Sequence, residues 1–238
     1  MFLSCQGWKS VSGEGITKMF LCLHIFEVMF KPYRNGALNR IYNLLFCDDV
    51  NLFRDSRKAQ DAGVDLWQLL FNPLTSAADL EKVVSDHALE SRMRLLAASR
   101  LRGMNVKAEL KELLGVVIEV GLEDGLDTLA GYNDQTARYI NFSEKMVVWE
   151  AGDSSARPLF ARLMDEGSNV VSRIGAWDKA RLPFPQAGTT RITFLVTDGL
   201  YFGQGSTNIL FKDPMAAPVL NAGLELMRFL TTSGLTGQ

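Results

Sequence analysis

Two histidines and three cysteines, with scattered carboxylates, arginines and tyrosines, are what this 238-residue chain offers for chemistry. Nucleophilic catalysis needs a serine or cysteine within hydrogen-bond reach of a base. His24 and His87 are the only imidazoles, and no Gly-x-Ser-x-Gly turn exists to expose a serine. Cys47 and His87 facing each other across two helices is one conceivable pair; a buried thiol and an ordinary surface histidine is the simpler reading. Structural zinc sites want four Cys or His ligands at short spacing, and the chain has no CxxC and no paired histidines. Asp48-Asp49 could offer oxygen ligands to magnesium or calcium. Without the glycine and spaced acids of an EF-hand loop, the two read as a helix-ending pair. The most motif-like stretch carries Gly199, Gly203 and Gly205 just before Thr207. It lacks the lysine of a P-loop and the helix entrance of a dinucleotide fingerprint. Glycines inside a strand mark bulges or close backbone approach. No cofactor is expected.

What remains is carboxylate, arginine and tyrosine chemistry. Glu119, Asp127 and Glu150 fall in strand-like runs, where a solvated sheet face is the plain expectation. Arg138, Tyr139, Glu150 and Tyr201 could bind an anion or move a proton without histidine. Trp149, Trp177 and Tyr139 are instead the residue types that mark a protein-binding patch. Arg138, Tyr139, Trp149, Glu150, Trp177 and Tyr201 are therefore the candidate interaction or ligand surface.

The elements that must position these residues change character along the chain. In residues 37–47, Leu38, Ile41, Leu44 and Leu45 recur at helical spacing. Further helical stretches are expected over residues 57–70, from Ser76 as a cap through Val84, and over residues 88–102 with Gly103 as a stop. From Leu114 the period falls to two. Val116, Ile118, Val120 and Leu122 open a meander, and the turns Glu123-Asp124-Gly125, Asn133-Asp134 and Ser143-Glu144 separate four strands. A helix holding Leu159, Phe160, Leu163, Met164, Val170, Val171 and Ile174 follows, capped by Asp153 or Ser154. A hairpin turns at Asp198-Gly199 and returns over residues 200–210. Asp213-Pro214 opens a last helix with Val219, Leu220, Gly223, Leu226, Met227 and Leu230 on its buried face. In the fourth strand both Met146/Val148 and Val147/Trp149 are apolar, so it should be covered on both sides, by the chain's own helices or by a partner.

This is an α+β order: N-terminal helices followed by an antiparallel sheet made of a four-strand meander, a helix, a hairpin and a C-terminal helix. It divides into residues 1–28 as a leader or poorly ordered segment, 29–110 as a helical region packing on or extending from the main domain, and 111–238 as the α+β domain. The element order resembles that of the type III secretion chaperone fold, and more loosely roadblock or profilin-type domains, which implies an antiparallel sheet flanked by helices. An extra strand departs from the chaperone pattern, and a shared fold does not carry function with it.

The composition, 47% hydrophobic and 22% charged with a formal charge of -2, is that of an ordinary globular protein, and it lacks the basic excess of a nucleic-acid binder. The charge is uneven: residues 90–111 hold six bases and two acids, residues 119–134 five acids and no base. Internal compensation between the two blocks is expected, with steering of an acidic partner as the alternative. Cys5, Cys22 and Cys47 are too few to staple the chain, which points to a reducing, cytoplasmic setting. The apolar run over residues 19–30 is short of a membrane span. Neither membrane nor nucleic acid is expected as a partner. Two functions stand open: a non-enzymatic protein-binding adaptor or chaperone-like module, with a protein partner or a homodimer, and a small-molecule binder or enzyme using Arg/Tyr/carboxylate chemistry.

Overall fold

The computed structural model describes residues 31–54, 64–152 and 154–233. The leader over residues 1–28 with its histidine His24, the start of the helix expected from residue 57, and the capping Asp153 lie outside these residues.

Among the described residues, five helices come first: α1 (Gly36–Leu44), α2 (Val50–Arg54), α3 (Val64–Phe71), α4 (Ala77–Ser85) and α5 (Ser91–Gly103). Asn35 caps α1 by accepting from the Ala37 N–H, and Ser76 caps α4 by accepting from the Asp79 N–H. The meander follows as β1 (Leu113–Leu122), β2 (Gly125–Tyr132), β3 (Ala137–Ile140) and β4 (Met146–Trp149). Then come α6 (Arg157–Val171), the hairpin β5 (Thr189–Val196) and β6 (Gly199–Ser206), the single turn α7 (Thr207–Leu210) and α8 (Ala216–Ser233). The six strands of the described residues join in one antiparallel sheet of order β4-β3-β2-β1-β5-β6. The fold is α+β.

Three local expectations are corrected. The returning strand ends at Ser206 rather than Leu210, because Ser206 already pairs with Thr189, the first residue of β5; one more bond, from the Thr207 N–H to the Gly188 carbonyl at 3.0 Å, closes the ladder before the chain coils. Among the described residues, helix α6 has no side-chain cap from Ser154: residues Ser154–Ala156 form a 3-10 turn, and Pro158 sits in the first turn of the helix, where its fixed φ fits. The basic block does not find its counter-charges in the acidic block. Arg94 pairs with Glu112, Arg92 with Glu90, and Arg100 donates to the Leu69 and Leu70 carbonyls.

Both sheet faces are covered from within the chain over most of their width. Phe46, Trp67 and Leu70 from the helical region share one core with Leu114, Val117, Ala130, Ile140 and Leu195 of the sheet. The helical region is thus a layer on the sheet. Helices α6 and α8 cover the other face, where Phe160, Leu163, Val219 and Leu226 meet Val116, Ile118, Leu129 and Phe194. Strand β1 serves both cores because successive residues face opposite sides, Val116 and Ile118 one way and Val117 the other; Leu114 is an extra residue between the pairs Leu113–Val196 and Gly115–Leu195, a bulge that resets the alternation there. At β4, Val147 and Trp149 pack under α8, with Trp149 edge-on to Phe229 at 5.2 Å, while Met146 and Val148 on the other side stay exposed.

Candidate functional site: the β6 edge and its groove

The six candidate residues divide between the two margins of the sheet. Arg138 and Tyr139 are neighbours on β3 and so face opposite sides. Arg138 pairs with Glu150 at 2.6 Å, whereas Tyr139 packs on the α6/α8 side and donates to Asp127 at 3.1 Å. Trp149 is covered by α8. Trp177 and Tyr201 lie at the β6 margin, four strand spacings from β3, or about 19 Å. The Arg138, Tyr139, Glu150 and Tyr201 constellation is therefore not assembled. Cys47 and His87 do not pair either. The Cys47 thiol is buried beside the Leu44 and Leu45 carbonyls with its pKa pushed up by burial, and the His87 side chain is 67% exposed beside Glu112.

One expected surface carboxylate is buried. Glu119 sits at 0% exposure in the middle of β1, opposite Thr128 on one side and Arg191 on the other. Its carboxylate accepts from Arg191 Nε at 2.9 Å and from the Tyr42 hydroxyl at 2.6 Å. Arg191 also donates to the Leu182 and Pro183 carbonyls. Burial raises the Glu119 pKa, against the pull of Arg191 and Tyr42. This group is sealed from any substrate, so it ties α1, the sheet and the crossing loop together. Among the described residues, no cluster of three His, Cys, Asp or Glu side chains could hold a metal.

An open groove of about 1160 Å³ lies beside the β6 margin of the sheet, between the end of α5, residues 176–181 and the β5–β6 turn. Four of its polar side chains are engaged within the chain. Arg181 pairs with Asp48 at 2.9 Å and lies 3.9 Å over the Phe46 ring. Arg102 donates to the Thr197 carbonyl at 3.1 Å, and burial lowers its pKa. Tyr201 donates to Asp198 at 2.9 Å, and Trp177 to the Ala180 carbonyl at 3.0 Å. Arg181, Arg102, Tyr201 and Trp177 thus help hold the groove's walls in shape.

Strand β6 forms one wall, and it is an edge. Val196 and Gly199 close a two-residue turn, which makes them a hydrogen-bonded pair. Alternation then aims the backbone groups of Leu200, Phe202, Gln204 and Ser206 away from β5. The Trp177 N–H donating to the Leu200 carbonyl at 2.6 Å has this phase. Among the described residues, no hydrogen bond reaches the outward backbone groups of Phe202 or Gln204. The Trp177 ring meets Phe202 edge-on at 5.0 Å. The glycines act as the strand reading anticipated at two positions: a Cβ at Gly199 would lie 3.2 Å from Ala176, and one at Gly205 3.4 Å from Leu210. At Gly203 the space is open.

No single residue type announced this edge. The available signal was an eight-residue strand, Gly-Leu-Tyr-Phe-Gly-Gln-Gly-Ser, without a charge or a proline. Exposed edges normally carry such residues as protection against pairing. Strand β4, the other edge, is only four residues long and is bracketed by Lys145 and Glu150. No helix of the described residues is long and apolar enough to cross a membrane. Comparisons of the chain with protein-family models, with curated proteins and with solved structures found no match.

Proposed function

We propose that this chain is a non-enzymatic, cytoplasmic protein-binding module that takes an extended segment of a partner as an added strand along β6. The observation that carries the reading is the unguarded edge, eight uncharged residues with outward backbone groups engaged by Trp177 at Leu200 alone among the described residues. Strand addition draws affinity from main-chain hydrogen bonds and specificity from pockets for alternate side chains. The groove beside Trp177 and Leu200 supplies such a pocket. The small-molecule alternative has the groove's volume in its favour, but the Arg/Tyr/carboxylate set it called on is split between the two sheet margins.

The test is selection of a random decapeptide display library on the full chain, followed by anisotropy titration of the enriched peptides. Gln204→Pro removes an outward N–H and leaves the β5–β6 ladder intact. It should weaken peptide binding by about tenfold or more, the worth of one or two hydrogen bonds, with the thermal midpoint nearly unchanged. Peptides that bind the proline variant as tightly as the parent would refute strand addition at β6.

A further inference from the structure

We infer that the occupant of the β6 edge is a second copy of this chain, an inference that rests on the strand-addition reading and names its partner. Trp177 blocks the outward side of Leu200, so an incoming strand can engage only residues 202–206. Within that stretch, the outward-facing residues are Phe202, Gln204 and Ser206. A two-fold axis through Gln204 satisfies this phase. It sets Gln204 against Gln204 of the second copy as a hydrogen-bonded pair, and Phe202 against Ser206 of the second copy. The axis also clears Trp177, because the position opposite Leu200 falls past the end of the incoming strand.

The segment suits its own copy in three ways. Gly203 and Gly205 are symmetric about Gln204, so each meets the other across the interface at the non-hydrogen-bonded positions. There, strands approach to about 4.5 Å between Cα atoms and side chains crowd most. Gly203 has no atom within 4 Å of a would-be Cβ, which leaves that approach clear. A two-fold axis also brings every charge near its own duplicate, and residues 202–206 carry none. Beyond the strand, Ile209 is 66% exposed and Phe211 is also exposed, apolar surface next to the edge for a second copy to cover.

The experiment uses the full chain with Cys5 and Cys22 replaced by Ser, so that Cys47, which is buried, is its remaining thiol. Sedimentation should give twice the chain mass of 26.4 kDa. Gln204→Lys should give the single-chain mass with unchanged circular dichroism. Gln204→Cys places two thiols on the axis at about 5.5 Å between Cα atoms, inside the range a disulfide accepts, and should cross-link on mild oxidation. Phe202→Cys lies four residues from its own duplicate, about 13 Å, and should not. A single-chain mass for the parent, a dimer that survives Gln204→Lys, or equal cross-linking at positions 202 and 204 would each overturn the inference. If the parent has single-chain mass but selected peptides bind and lose affinity in Gln204→Pro, strand addition stands and only the identity of the partner is wrong. If no peptide depends on Gln204 as well, both fail.

Discussion

Glu119 loses all contact with water in the fold, and the cost of that burial is met by Arg191, which is 2% exposed, and by the Tyr42 hydroxyl. Removing one member of such a pair leaves an uncompensated buried charge, at about 3–5 kcal/mol, while replacing both with apolar groups of similar volume is far gentler. Glu119→Leu and Arg191→Leu should therefore each destabilise strongly, and the double variant should cost clearly less than their sum. A urea-denaturation double-mutant cycle reads this directly, and additive costs would show that the pair is not coupled. Part of this arrangement was legible: Val116 through Val120 are apolar on both sides of β1, and a strand apolar on both sides is buried on both. A carboxylate in its middle should have been read as buried too. Its partner was beyond reach, because Arg191 lies 72 residues away and only the β1–β5 register brings it opposite.

At the scale of elements, helical spacing on a buried face identified most of α8: Val219, Leu220, Gly223, Leu226 and Leu230 are buried on it, Met227 is only partly buried, and the buried Ala222 was missed. Gly223 is there for closeness. A Cβ at that position would stand 2.3 Å from Cδ1 of Ile118 on β1. Gly223→Ala should cost about 1–3 kcal/mol by overpacking. Because the obstacle is the tip of one side chain, Ile118→Val, which deletes that carbon, should recover most of the loss. Chemical denaturation of both single variants and the double decides it; a double variant as unstable as the sum of the singles would mean that the crowding lies elsewhere. Short elements were less legible. Thr207–Leu210 continues an apolar pattern begun in β6, yet it coils into a helical turn. A strand needs a neighbour, and the length of β5 is not written into residues 207–210.

For the whole molecule, the division near residue 110 was visible as a change of hydrophobic period, but periodicity does not say whether the first part stands free or lies on the second. Three phenols show how it is held down. Tyr33 donates to Thr128 Oγ1 at 2.9 Å, Tyr42 to Glu119 at 2.6 Å, and Tyr132 to the Leu45 carbonyl at 2.7 Å, each bond joining the helical layer to the sheet. Burial raises the pKa of all three. A phenol whose folded pKa lies above its unfolded value of about 10 favours the native state fully below that pH, and this contribution is lost as pH climbs toward the raised values. Ionising any of the three would leave a phenolate in an apolar layer facing a carboxylate, a carbonyl or a hydroxyl. These phenols should therefore resist titration until the layer lifts. In an alkaline titration, the phenolate absorbance of Tyr33, Tyr42 and Tyr132, isolated by comparison with Phe variants, should rise in one steep step together with the loss of circular dichroism. Gradual ionisation of the three in a chain that keeps its native dichroism would mean that the helical layer opens locally, and that the phenols do not fasten it to the sheet.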